Sequence, residues 1–125
     1  SISTTLGQAE SIGPLGLNFG STGATWSEWD QVVYAIDATT DGLYTISPDT
    51  GEATLVTALD KPFGITVGIE MHPANGIIYA CSDDAHLLTV DPVTGHVTDV
   101  GPMEQANFCT NLAAPWLPVE CLDAL

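Results

Sequence analysis

The chain has 125 residues and a mass of 13.1 kDa, and its 16 Asp and Glu residues face a single basic residue, Lys61, for a formal charge of -15. This length suits one compact domain. The charge excludes nucleic-acid backbones and anionic membrane surfaces as partners, because both require clusters of Lys and Arg. Since 45% of the residues are hydrophobic and only 14% are charged, the acidity does not indicate disorder. No apolar run reaches the about 18 to 20 residues that span a bilayer, so we expect no membrane insertion.

One pattern recurs along the chain at an offset of 44 residues. Residues 45–56 align with residues 89–100 without a gap, and the same offset leads back to residues 1–12. A repeat at a fixed period indicates an architecture built from one repeated unit. We therefore divide the single domain, residues 1–125, into three repeats, 1–44, 45–88 and 89–125, with the third sharing its pattern in phase with the N-terminus.

Each repeat predicts short strands and no helix. Residues 44–47 and 53–57 alternate apolar and polar side chains around a turn in which Pro48 fixes φ and Gly51 can adopt a positive φ. Residues 68–71 and 77–81 flank a second turn that contains Asn75 and Gly76. The strands nearest the centre of the fold are expected at 23–27, 67–71 and 110–114. The predicted class is all-β.

The segment Leu-Tyr-x-Ile-x-Pro-x-Thr-Gly-x-x-Thr-x-Val at residues 43–56 resembles the blade repeat of extracellular bacterial β-propellers, including the quinoprotein-like ones. Residues 68–80 resemble the other half of such a blade. The resemblance implies a β-propeller with about three 44-residue blades in this chain. Because a propeller closes with about 4 to 8 blades, we expect a homodimer of six blades, in which residues 104–125 and 1–16 share a blade across chains. A fragment of a longer propeller and a β-trefoil are the alternatives.

Propellers of this kind include lactonases, quinoproteins, lectins and adhesion modules, so the resemblance does not specify an activity. The sequence has no Gly-x-Ser-x-Gly elbow and no phosphate-binding loop. We therefore expect a non-catalytic binding or assembly module that is secreted or held at the cell surface. The alternatives are a lectin-like propeller that binds carbohydrate and a subunit of a metal-dependent lactonase, with Glu70, Asn107 and Asn111 as its cage.

Five residues are candidates for ligand binding. An alignment at offset 44 matches Trp26 with Glu70, and it places His72 two residues further along the same strand. Glu70 and His72 would then project from one face and could share a metal, whereas the alternative is that His72 caps a turn. Trp26, Trp29 and Trp116 would either stack on a sugar ring or pack between blades.

Acidic turns and cysteines complete the set of candidates. Weak calcium binding is assigned to the segments that carry Asp37, Asp41, Asp83 and Asp84; the alternative is that they are simple turns. Cys109 and Cys121 either close a short disulfide loop or lie as two small buried side chains. Cys81 falls within an apolar run and is expected to be a thiol in the core.

Overall fold

The computed structural model describes residues 1–65, 67–104 and 108–115. Within these ranges the secondary structure is entirely β, which confirms the predicted class. The eight strands are β1 (Thr22–Ser27), β2 (Val32–Asp37), β3 (Gly42–Ile46), β4 (Ala53–Ala58), β5 (Val67–Met71), β6 (Ile78–Ser82), β7 (His86–Val90) and β8 (Val97–Pro102). No helix in these ranges is long and apolar enough to cross a membrane.

The strands form two antiparallel sheets of four, with the orders β1-β2-β3-β4 and β5-β6-β7-β8. Within each sheet, each strand pairs with the next one in sequence, so the hairpins predicted around Gly51 and around Asn75 and Gly76 are both confirmed. The strand expected at residues 110–114 is not formed, because this segment has no ladder partner among the described residues. The repeat boundary at residue 45 falls inside β3. Each sequence repeat therefore joins the last two strands of one sheet, its outer half, to the first two strands of the next sheet, its inner half.

The registers of the two sheets correct one alignment made from the sequence. Trp26 pairs with Val33 in the first sheet, and Met71 pairs with Ile78 in the second. Trp26 therefore corresponds to Met71, and the alignment of Trp26 with Glu70 is wrong; Thr25 is the residue equivalent to Glu70. The cause is a change in turn length, since residues 38–41 connect β2 to β3 whereas residues 83–85 connect β6 to β7.

The two sheets pack face to face around an apolar core. Ile36 and Leu43 from the first sheet and Ile78 and Leu88 from the second are its most deeply buried large side chains. The first strands, β1 and β5, make the main contact between the sheets. Gly23 allows this approach, because a Cβ there would lie 2.6 Å from the backbone oxygen of Val67.

A buried disulfide joins Cys81 on β6 to Cys109, with their Cα atoms 5.7 Å apart. This pairing overturns the expected disulfide between Cys109 and Cys121, since a cysteine forms only one such bond, and Cys81 is not a core thiol. The geometry explains the choice. Gly68, which pairs with Cys81 across the strands, leaves room for the backbone of Asn111 and so brings Cys109 within reach. Cys121 lies outside the described residues.

Candidate functional site

One turn geometry recurs at Gly7, Gly51 and Gly95, and the turn at Gly76 between β5 and β6 shares it. Gly7, Gly51 and Gly95 have φ values of 66°, 79° and 75°. In each turn the glycine amide donates to the carbonyl four residues earlier, at 2.8 to 2.9 Å. The residue that bears this carbonyl also donates its own amide to the carbonyl five residues later, at 2.9 to 3.0 Å. The spacing of 44 residues, which the sequence repeat predicts, relates the hairpins at Gly7, Gly51 and Gly95 to one another.

The first copy, which we call the N-terminal hairpin (residues 1–12), has no sheet of its own among the described residues. Its β-structure is limited to an isolated bridge between Ile2 and Ala9. The second and third copies are the outer halves of four-stranded sheets. Ile2 is 72% exposed and Leu6 is 71% exposed. The hairpin thus presents apolar side chains to solvent and lacks the two inner strands that its equivalents have.

Contacts between consecutive repeats are also repeated. Residues 13–15 lie against the turn of the first sheet, where the amide of Ala53 donates to the carbonyl of Leu15 at 2.9 Å. Residues 58–60 lie against the turn of the second sheet, where the bond runs in the opposite direction: the amide of Asp60 donates to the carbonyl of Gly95 at 3.0 Å. Each turn is therefore seated on the segment that follows the outer strand of the preceding repeat.

The second of these junctions is reinforced by side chains. The Asp60 carboxylate accepts a hydrogen bond from the amide of Val97 at 2.8 Å and one from Nδ1 of His96 at 2.5 Å. These contacts, the His96 hydrogen bond first, lower the pKa of Asp60. Our sequence analysis did not identify Asp60. The segment directly after the outer strand occurs once in each repeat, and that recurring position could have drawn attention to Asp60.

The equivalent segment, residues 101–104, comprises the end of β8 and the two residues after it; no turn among the described residues is seated on it, and we call it the ledge. The amide of Met103 donates to the carbonyl of Ala85 at 2.8 Å, just as the amide of Leu59 donates to that of Asp41 at the same distance. The ledge therefore repeats the backbone hydrogen bond that residues 57–60 make, although Gly101 has a φ of 145° and Thr57 has no positive φ. Glu104 occupies the position equivalent to Asp60 and is exposed.

Residues 108–115 lie against the second sheet as β5 lies against the first. A Cβ on Gly68 would approach the backbone of Asn111, in the same way that a Cβ on Gly23 would approach that of Val67. At offset 44, Ala113 and Pro115 stand where β5 has Ile69 and Met71. Beside this segment is a pocket of about 200 Å³, and the smaller side chains account for its space.

The pocket brings together two of the predicted site residues, Glu70 and His72, with Tyr79 between them and the apolar segment 112–115. Glu70 accepts a hydrogen bond from the hydroxyl of Thr25 at 3.1 Å. His72 accepts one through Nδ1 from the amide of Ala74 at 3.2 Å, which is the turn cap considered above. No group of three or more His, Cys, Asp or Glu that could hold a metal occurs in the described part of the chain.

Neither of the two candidate tryptophans that the structure describes, Trp26 and Trp29, lines this pocket. Trp26 is half-buried on β1. Trp29, in the turn between β1 and β2, is 63% exposed, and its indole N–H donates to the carbonyl of Pro73 at 3.2 Å. Its ring also lies over Gly76, which ties one sheet to a turn of the other. Trp116 and Asn107 lie outside the described residues.

The four candidate calcium ligands lie in two turns, on different sheets. Asp37 is buried and accepts hydrogen bonds from the amide of Gly20 and the hydroxyl of Thr40. Asp41 accepts one from the amide of Phe63. In the other turn, Asp84 accepts from Ser82 and from the amide of His86, and Asp83 lies beside Gly64. Three of these carboxylates therefore already cap nearby groups.

Comparisons with protein families, with curated proteins and with solved structures found no match to this chain. The function is therefore inferred from the geometry of the described residues.

Proposed function

We propose that this chain is a non-catalytic assembly module of a β-propeller, in which two copies close a ring of six blades. The two sheets are neighbouring blades, with β1 and β5 as their innermost strands. The observation that carries the proposal is the N-terminal hairpin. It repeats the outer hairpin of both sheets, the segment that follows it, residues 13–15, lies against the turn of the first sheet, and it has no inner strands among the described residues.

The number of blades follows from what each copy contributes. One chain supplies two complete sheets, one outer hairpin at residues 1–12, and one segment at 108–115 in the position of an inner strand. The N-terminal hairpin and the segment at 108–115 correspond to two parts of one blade, and they lie on opposite sides of the molecule. A ring needs about 4 to 8 blades, so one chain is too small and two chains supply six. The two separate four-stranded sheets also favour a propeller over a β-trefoil.

The buried disulfide supports a secreted or cell-surface location, because such bonds persist in oxidising compartments. It ties Cys109, and with it the start of the segment at 108–115, to the second sheet. Among the described residues no specific observation favours a lectin role: Trp26 is half-buried, and the Trp29 N–H bonds to Pro73. None of them favours a lactonase either, since Glu70 bonds to Thr25 and the described residues hold no metal-binding group of His, Cys, Asp and Glu.

The proposal is tested by light scattering on the purified chain over a dilution series. We expect a mass of twice 13.1 kDa that persists on dilution. Ile2→Asp should shift the protein towards monomer, because a charge at this exposed apolar position would be buried in the shared blade. Val93→Asp is the matched control, since Val93 is an exposed apolar residue in an outer turn and should leave the mass unchanged. A folded wild-type monomer at every concentration would overturn the proposal.

A further inference from the structure

The geometry points to a specific seam between the two copies: the turn at Gly7 of one copy is seated on the ledge, residues 101–104, of the other, with Gln8 opposite Glu104. This inference rests on the proposed function and identifies the contact that closes the ring. The seam would occur twice in the dimer, because each copy has one N-terminal hairpin and one ledge.

The partners at the seam follow from the internal junctions. His96 lies next to the turn glycine Gly95, as Gln8 lies next to Gly7. Asp60 follows Leu59, whose amide donates to the carbonyl of Asp41. In the same arrangement Glu104 follows Met103, whose amide donates to the carbonyl of Ala85. Because His96 and Asp60 are in contact at 2.5 Å within one chain, Gln8 and Glu104 are their equivalents where two chains meet.

The chemistry of the two residues suits this contact. The Gln8 amide carries N–H donors and the Glu104 carboxylate supplies acceptors, so the hydrogen bond from His96 to Asp60 is replaced by one from an uncharged donor. The second bond of the internal junction, from the Val97 amide to Asp60, has its equivalent in the amide of Ala9. Gln8 and Glu104 are both exposed, and the turn at Gly7 has the backbone geometry of the turn at Gly95.

A second copy is the occupant because the hairpin cannot reach the ledge of its own chain. The segment that follows the hairpin, residues 13–15, is bonded to the first sheet. The ledge lies at the end of β8, in the second sheet. The core shared by the two sheets separates the ledge from residues 13–15. Both surfaces are formed in the single chain, so each is ready to receive its counterpart.

Cysteine cross-linking tests the seam. Gln8→Cys and Glu104→Cys are combined in a Cys121→Ser background and treated with a short bismaleimide, while Cys81 and Cys109 remain paired. We expect covalent dimer at about tenfold the yield of either single variant, because docked cysteines face each other at a millimolar effective concentration. Mixing the two single variants should also give covalent dimer, since each seam needs one residue from each copy.

The matched control is Asp60→Cys with His96→Cys in the same background. This pair forms the equivalent contact inside one chain and should react without forming covalent dimer. If light scattering shows a dimer and the control pair reacts, but the pair at 8 and 104 gives no more dimer than the single variants, the seam is wrong and the dimer stands. If light scattering shows only monomer, the proposed function fails first.

Discussion

The N-terminal hairpin and the hairpin of β7 and β8 share one turn geometry but differ in their surroundings. Gly7 and Gly95 have nearly the same φ, and the same backbone hydrogen bonds close both turns. The second hairpin continues a four-stranded sheet and contributes Leu88 and Val90 to the core, whereas the first is exposed along its length. Local chemistry is therefore sufficient to build the turn, and the sheet around it depends on strands from elsewhere.

The largest expected effect comes from truncating the core. Ile36 is fully buried and Ile2 is 72% exposed. Ile36→Ala should lower the free energy of unfolding by about 2 to 5 kcal/mol, because it leaves a cavity. Ile2→Ala should change the stability of the single chain by about 0.5 kcal/mol or less. Urea unfolding under conditions in which both variants are monomeric measures the difference. Equal losses would show that the hairpin belongs to the same folded core as β7 and β8.

The disulfide gives the next largest effect. Cys81 and Cys109 are separated by 28 residues, and closing such a loop stabilises a protein by about 3 to 4 kcal/mol in the chain-entropy model. Cys109→Ser should lose this amount in urea unfolding. Reductant should lower the stability of the wild type to that of the variant and leave the variant unchanged. A variant as stable as the oxidised wild type would show that Cys109 contributes no constraint to the second sheet.

Much of the fold follows from sequence because its determinants are local. The spacing of Pro48 and Gly51, and of Asn75 and Gly76, predicted both hairpins correctly, since turn residues act within four positions of one another. The slip in alignment that misplaced Trp26 has a non-local origin. A one-residue difference between the β2–β3 turn and the β6–β7 turn is visible only once both registers are known.

The candidate site was less predictable for a related reason. Glu70, on β5, and His72, which directly follows the end of that strand, line the same pocket. The partner of Cys109 depends on the backbone that crosses Gly68, and the partner of Trp29 is a carbonyl in the other sheet. These contacts join residues that are distant in sequence, and periodicity carries no information about them.

A glycine pair sharpens the comparison between the two hairpins. Gly95→Ala should cost more than the about 1 to 2 kcal/mol of left-handed strain, because its Cβ would overlap the carbonyl oxygen of Ala58. Gly7→Ala meets no atom within 4 Å in the single chain, so only the strain remains, and it falls on a hairpin that is exposed along its length. Under conditions in which both variants are monomeric, thermal unfolding should therefore show a large loss for Gly95→Ala and almost none for Gly7→Ala. Similar losses would mean that both turns are equally supported.

The smallest expected effect is the pH dependence of the junction at Asp60. Its hydrogen bonds from His96 and Val97 lower its pKa, so folding is favoured while the carboxylate is ionised. This stabilisation is complete above the unfolded pKa, about 4, and is lost as the pH falls through the lower folded value. Asp60→Asn should therefore be less stable than the wild type by a constant amount above about pH 5, and the two should converge in more acidic solution. Urea unfolding from pH 7 down to the acid limit measures this difference. A gap that widens on acidification would mean that the charge of Asp60 does not support the junction, and the hairpin at Gly95 would then owe its place to backbone contacts alone.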